Sequence, residues 1–412
     1  MEDRKILHVD VNNAFLSWTA VDLLRNGYEI DIRTIPAIIG GDEERRSGIV
    51  LAKSPVAKKF GVVTAEPIYF AKQKCPNLQV FQGNFTLYRK ESNNLYNILK
   101  RYTDKIERFS IDESFMDLTN YLGSRKLIDV AYEIKDTVER ELGFTVNVGV
   151  SQNKLLAKMA SDFEKPNKVH TLYLDEIEDK MWPLPVSELF GVGKKTVPKL
   201  LNMRLKTIGD LAKYDEEKLI KKFGKMGKWM YDAANGIDDS EVSTKIERPK
   251  SIGNQVTQSK DLTSKDQVEF VMCQIAEEVA YRLRKEKMVA EVVAVSLRTN
   301  TFKDYSHQKK IGSQTSNTKK IIECAKSILN EMEIKEPIRL VGLRVDNLSE
   351  EDNTQLSIFN EIENDEKLGK LDKVVDDLKS KFGYTSVTYG RMLGEKDEKY
   401  KIKYTNKNYK KN

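Results

Sequence analysis

The sequence predicts an α+β protein of several domains, on three observations. Its 412 residues make two to four domains at roughly 100–200 residues each. A 40% hydrophobic share beside 32% charged supplies real cores and is too apolar for wholesale disorder. Over residues 5–163, short strand-patterned stretches alternate with longer helix-patterned ones, the mark of a sheet covered by helices.

The elements follow in order. KILHVDV (5–11) reads as a short buried strand ending at an acid. Residues 35–52 mix apolar runs with a Gly-Gly-Asp turn and suggest two strands. Leu87, Leu95, Ile98 and Leu99 have helical spacing within 85–105. IERFSIDESFMDLT (106–119) reads as a hairpin, with apolar alternation on either side of a polar centre. Leu127, Val130, Ile134 and Val138 mark a helix over 125–142, followed by a strand at 145–151 and a helix at 152–163. From 175 to about 238 the texture is short helices with Gly-containing turns. SEVSTKIERPKS (240–251) carries Pro249 and few large apolar groups, so it reads as a linker. A further domain has helices over 264–287 and 316–332 and strands at 290–299 and 338–346. Beyond 349 the chain is polar, with an amphipathic helix traced by Leu368, Leu371, Val374, Val375 and Leu378.

Composition excludes several function classes. The opening MEDRKILHVD has no long apolar core and is not read as a signal peptide. No stretch approaches the roughly 18 apolar residues of a membrane span. Cys75, Cys273 and Cys324 form no paired spacing, and His8, His170 and His307 are scattered. Zinc fingers and disulfide scaffolds are therefore poor readings, and a reducing cytoplasm is the expected home. The net charge of +6 is uneven. Residues 245–348 and 390–412 each carry +5, so the remainder is slightly acidic. A near-neutral body with a basic domain and tail suits a polyanion, although a solvated surface would read the same way.

The chemistry concentrates in three acids. Asp10 ends the first strand, and Asp112 and Glu113 sit at the centre of the 106–119 hairpin. Carboxylates on neighbouring strand ends can converge, and their repulsion is relieved by Mg²⁺, which takes one or two carboxylates and completes its shell with water and phosphate. Two such ions would clamp an in-line phosphoryl displacement. Spacing alone leaves the alternative open that Asp112-Glu113 is a polar turn.

Four strings occur in order: HVDVNNAF (8–15), FSIDESFMDL (109–118), GVSQNKLLAKMASDFEKPN (149–167) and LFGVGKKTVPKL (189–200). Together they resemble the Y-family translesion DNA polymerases, the DinB/UmuC group, over residues 4–348. The resemblance implies a right-hand polymerase. Its ferredoxin-like palm spans 1–12 and 78–172, small fingers 13–77, and a helical thumb 173–240. A linker at 241–249 then leads to an α/β little finger at 250–348 and a tail at 349–412. It implies low-fidelity, template-directed synthesis across lesions, by two-metal nucleotidyl transfer, without proofreading. Asp10, Asp112 and Glu113 would be catalytic and, with the backbone carbonyl of Val11, hold two Mg²⁺. Phe15 would be the steric gate against ribonucleotides. Lys165 and Lys58 would meet the dNTP triphosphate.

Departures stand beside the matches. Lys58 replaces a family arginine, turning a bidentate fork into a point charge. Pro55 stands where a tyrosine is common, Asn12 replaces a second acid, and Ile49 and Leu51 fill roof positions that are often small.

Gly191 and Gly193, followed by Lys194, resemble a helix-hairpin-helix gripping DNA phosphates. Arg298, Lys303, Lys309 and Lys310 could line a strand face along the duplex. Gln355, Leu356, Ser357, Ile358 and Phe359 resemble the short peptide that docks on the sliding clamp, the β subunit. The expected partners are primer-template DNA, dNTP and clamp, with the chain a monomer and no membrane involved. Two other readings remain at this stage. A catalytically inactive DNA- and clamp-binding scaffold would keep the basic domain and the peptide. A nucleotide cyclase-like palm would keep the acids.

Overall fold

The computed structural model describes residues 4–41, 48–245, 248–351, 362–383 and 386–387. The chain divides into two units, Met1–Gly41 with Ile49–Ile246, and Asp42–Gly48 with Glu247–Asn412.

The first unit opens with β1 (Ile6–Val11), α1 (Ala14–Arg25), β2 (Ala37–Gly40), β3 (Val50–Lys53), α2 (Pro55–Lys59), α3 (Ile68–Lys74) and β4 (Gln79–Gln82). Next come α4 (Phe85–Leu99), β5 (Ile106–Arg108), β6 (Glu113–Asp117), α5 (Leu127–Leu142), β7 (Val146–Ser151), α6 (Lys154–Ser161) and β8 (Val169–Thr171). Strands β2, β3 and β4 make a small sheet in the order β3-β2-β4. The others form a five-stranded sheet, β5-β6-β1-β7-β8. Strand β1 is central and antiparallel to both neighbours. Every residue of it is buried, the polar His8 and Asp10 as well as the apolar Leu7, Val9 and Val11.

The two faces of this sheet differ. Leu7, Val9 and Val11 join the main core with the α5 residues Val130, Ile134 and Val138. His8 and Asp10 point to the opposite face, because strand side chains alternate. Helix α6 covers that face, and Gly149 of β7, register partner of His8, lets it come close. A Cβ on Gly149 would lie 1.9 Å from the Ala157 carbonyl oxygen and 2.6 Å from the Ser161 nitrogen. The Asn153 side chain caps α6 by accepting from the Leu156 amide at 2.8 Å.

Short helices follow: α7 (Ile177–Lys180), α8 (Val197–Asn202), α9 (Ile208–Ala212), α10 (Glu216–Phe223) and α11 (Lys225–Ala234), around a core that includes Leu200, Leu211, Leu219 and Met230. Gly191 has φ +90°, and a Cβ there would meet the Trp229 ring at 2.3 Å. The expected linker is bonded to this unit along its first half. Arg4 donates to the carbonyls of Ser240 and Asp238, Lys154 to that of Glu241, and the Ser243 amide to Glu107.

In the second unit, β9 (Ser251–Leu262), α12 (Lys265–Lys285), β10 (Met288–Thr299), β11 (Asp304–Thr315), α13 (Thr318–Glu331) and β12 (Ile338–Asp346) form an antiparallel sheet, β11-β10-β12-β9, backed by two helices. Strand β13 (Ser349–Glu350) pairs with β10. Strands β9 and β11 carry no regular apolar alternation, so the sequence hides them.

The last helix among the described residues, α14 (Ile362–Phe382), matches the expected helix but not the face the sequence suggests for packing. Leu371, Val374 and Leu378 are exposed, whereas Asp372 and Lys379 are buried. The reason is polar. Helix α12 presents buried Glu277, which takes the Lys379 ammonium. Arg284 forks onto Asp376 at 2.6 and 2.8 Å. Asp372 accepts from the Thr318 amide and from Asn317 at the start of α13.

Candidate active site

The antiparallel pairing of β1 with β6 sets Asp10 directly opposite Glu113. The Val11 amide donates to the Asp112 carbonyl at 3.0 Å. The three acids expected from the sequence are thereby brought to one sheet end. Their electrostatics show mutual proximity. Burial pushes the Asp112 carboxyl above its usual range, and the negative charges of Asp10 and Glu113 add to this, against a hydrogen bond from the Ser110 hydroxyl. Burial also acts to raise Glu113, but the facing His8 imidazole and the Lys158 ammonium outweigh it, leaving this carboxyl at about 2.

Two ammonium groups sit among these oxygens. Lys158 Nζ lies 3.0 Å from Glu113, 3.6 Å from Asp10 and 3.2 Å from Asp162. Lys165 Nζ lies 2.6 Å from the same Asp10 oxygen and 2.8 Å from Asp162. Burial opposes the charge on both lysines, but the carboxylates prevail and raise both pKa values. Beneath them, burial keeps His8 below its usual pKa. Its Nδ1 meets the Ser161 hydroxyl at 2.8 Å, and its Nε2 faces a Glu113 oxygen 3.8 Å away.

Among the described residues no group of three or more Asp, Glu, His or Cys side chains is set to hold a metal ion. The donor set nevertheless fits hard divalent cations. It is all oxygen, and its neutralising positive charge is supplied by two ammonium stand-ins on the carboxylates a cation would use.

Phe15 starts a ring cluster beside this sheet end. It stacks on Tyr88 with centroids 4.7 Å apart and meets Phe85 edge-on at 6.0 Å. Tyr88 is fully buried, and its hydroxyl sits 3.1 Å from that of Thr19. Asn12 is a tie. Its Nδ2 donates to Asn147 at 3.1 Å and its Oδ1 accepts from the Asn167 amide at 2.8 Å, holding the loop that carries Lys165. Pro55 occupies the first turn of α2 behind the Ser54 cap, a position where proline fits a helix. Lys58 lies on α2 and is exposed. Burial and the Lys58 charge together lower the pKa of Lys53. Ile49 is 40% exposed, and Leu51 packs against the main core.

Among the expected DNA contacts, Gly191, Gly193 and Lys194 lie on the surface of the helical region. The Gly193 carbonyl accepts from the Thr196 and Val197 amides. The four basic residues of the second unit do not share one strand face. Lys309 opposes Val293, whose side is covered by the helices, and bonds Ser327 and Glu331 of α13. Lys310 opposes Val292 and pairs with Glu291 on the open face. Arg298 also faces the open side and forks onto Asp304 at 2.7 and 3.0 Å. Lys303 pairs with Glu336 at 2.6 Å. Residues 355–359 lie outside the described residues.

Sequence reading missed Lys158, Tyr88 and the open sheet face, where Arg344 and Gly342 join Arg298 and Ser296 by register. A lysine on a helix reads as a surface charge, and only the close approach at Gly149 brings Lys158 inside.

Comparisons with known proteins bear on the same residues. The impB/mucB/samB family model matches residues 9–162, and that family's C-terminal domain matches 249–358. A thumb-domain model described for DNA polymerase iota matches 187–238. The chain is 48% identical to DNA polymerase IV of Clostridium acetobutylicum over 394 residues, covering 96% of this chain and 99% of that one. The chain belongs to the Y-family of DNA polymerases. DNA polymerase IV of Acetivibrio thermocellus is 38% identical, with 95% and 98% covered. The fold matches a solved Y-family DNA polymerase chimera with a TM-score of 0.74 at 24% identity, covering 84% of this chain and 99% of that one. As a family member the chain is a DNA-directed DNA polymerase of the translesion class, with DNA and deoxynucleoside triphosphates as substrates. The right-hand architecture expected from the sequence is therefore the family's, and the inactive-scaffold and cyclase readings fall away. No helix among the described residues is long and apolar enough to cross a membrane.

Proposed function

We propose that this Y-family polymerase extends primers by two-metal nucleotidyl transfer at Asp10, Asp112 and Glu113, with low fidelity and no proofreading. The observation that carries the reading is the β1–β6 register, which sets Asp10 against Glu113 with Asp112 one residue away. The Val11 carbonyl completes the oxygen set. Two Mg²⁺ bound there would acidify the primer 3′-hydroxyl and neutralise the triphosphate. In the transfer, the 3′-hydroxyl gives its proton to solvent, the 3′-oxygen bonds to the α-phosphorus, the α–β phosphoanhydride bond breaks, and pyrophosphate leaves. Lys165 passes from Asp10 to the triphosphate, and Lys58 supplies a second, point-like positive charge from α2.

The domain boundaries are those the resemblance implies: palm 1–12 and 78–172, fingers 13–77, thumb 173–240, linker 241–249 and little finger 250–348. Arg298 and Lys310 meet duplex phosphates from the open sheet face. Their exposed ion pairs are worth little, so exchange for a phosphate costs little. Gly191, Gly193 and Lys194 grip phosphates from the thumb. The protein acts as a cytoplasmic monomer tethered to the sliding clamp through Gln355–Phe359. A Leu356→Ala, Phe359→Ala double variant that loaded clamp stimulates as fully as the parent would refute that tether.

Phe15 places its ring where a 2′-hydroxyl would lie, held by the Tyr88 stack. Phe15→Ala is expected to raise the ratio of rNTP to dNTP incorporation by roughly tenfold or more. An unchanged ratio would reduce Phe15 to core packing.

A further inference from the structure

Lys158, Asp10, Lys165 and Asp162 form a closed ionic ring of alternating sign, since Lys158 and Lys165 share one Asp10 oxygen and each also meets Asp162. Glu113 joins the ring through Lys158. The two lysines differ in freedom. The Lys165 side chain is 37% exposed, on a loop, and can leave for a nucleotide. The Lys158 side chain is 7% exposed, in the last turns of a helix locked onto the sheet at Gly149. Its positive charge is therefore a permanent part of the carboxylate cluster.

We propose that Lys158 is a positioning residue, a built-in counter-cation that holds Glu113 and Asp10 together when no metal is bound and competes with divalent cations for the same oxygens. This rests on the assignment of those acids as metal ligands and goes beyond it, since it gives the site a metal threshold set by the chain itself. Without Lys158, the acids would repel one another in the free protein and splay the ends of β1 and β6. With it, the site is assembled before metal arrives, and each ion must displace an ammonium. Asp162 gives Lys158 somewhere to go. Already 3.2 Å away and partly exposed, it can keep the ammonium paired when Asp10 and Glu113 turn to the metal.

The test uses the full-length protein free of DNA and nucleotide. Mn²⁺ binding is followed by electron paramagnetic resonance, and thermal unfolding is recorded in EDTA and in saturating Mg²⁺. Removing a positive charge a few ångströms from a divalent site is expected to tighten Mn²⁺ binding by roughly tenfold in Lys158→Met. The variant is expected to melt lower than the parent in EDTA and to recover most of that loss in Mg²⁺. Lys158→Arg keeps the charge, so it should bind Mn²⁺ as the parent does. Should Lys158→Met fail to fold in EDTA, recovery of its fold on adding Mg²⁺, followed by circular dichroism, supports the proposal, and failure to recover overturns it. Parent-like Mn²⁺ affinity in Lys158→Met, or an equal melting loss with and without Mg²⁺, would mark a merely structural lysine and overturn the proposal. So would tenfold tighter binding in Lys158→Arg. A parent that binds no Mn²⁺ at all would overturn the metal assignment and this proposal with it.

Discussion

Asp112→Asn is expected to lower single-turnover dNTP incorporation by about a thousandfold or more, since a metal-holding carboxylate supports several kcal/mol of transition-state stabilisation. The substitution is cleaner than a change at Asp10 or Glu113. Both of those pair with Lys158, so removing either leaves a buried ammonium short of a partner. Asp112 bonds the Ser110 hydroxyl instead, which an amide can also meet. Burial and its two acidic neighbours already hold its carboxyl above the usual range, so a neutral amide suits the metal-free fold. Primer-template binding should stay within about twofold of the parent, because the residues proposed to hold DNA phosphates are basic ones such as Arg298, Lys310 and Lys194. Incorporation within tenfold of the parent would remove Asp112 from the site.

Gly149→Ala is expected to be the most damaging single-methyl change in the sheet. The new Cβ would sit 1.9 Å from the Ala157 carbonyl oxygen, and a helix backbone cannot rotate away as a side chain can. Overpacking of this kind costs about 3 kcal/mol, which lowers Tm by roughly 6 °C or more for a unit of this size. Helix α6 must lift off β7, and Lys158 leaves Glu113 with it. Activity should therefore fall together with stability. An unchanged Tm by calorimetry would mean that α6 does not depend on this close approach.

The two findings differ in how far the sequence revealed them. Asp10, Asp112 and Glu113 were legible because apolar strands flank them, which allows the acids to converge. Spacing alone left a polar turn open, and it was the four ordered strings shared with the polymerase family that singled the three out. The helices α5, α12 and α13 were legible from their apolar spacing. Strands β9 and β11 were not, because among the described residues helices back only one face of their sheet, and an edge strand such as DYSHQKKIGSQT carries mostly polar residues. The basic residues of that sheet were legible as a group but not by face. Neighbours on a strand point to opposite sides, so Lys309 and Lys310 part company. Helix α14 was legible as a helix, but its docking face was not, since burial follows Glu277, Arg284 and the start of α13 rather than its own leucines. Lys158 was hidden for a similar reason. Its burial is decided by a glycine on a different element, and no local pattern around it reports that contact.

The most direct measurement is primer extension by the unmodified chain, first stripped of metal with EDTA and then titrated with Mg²⁺ in the presence of dNTPs and a primer-template. No incorporation is expected without metal; with Mg²⁺, template-directed extension should rise to a plateau, with no degradation of a mismatched primer end. Extension that persists in EDTA, or none at saturating Mg²⁺ despite normal DNA binding, would contradict the two-metal reading.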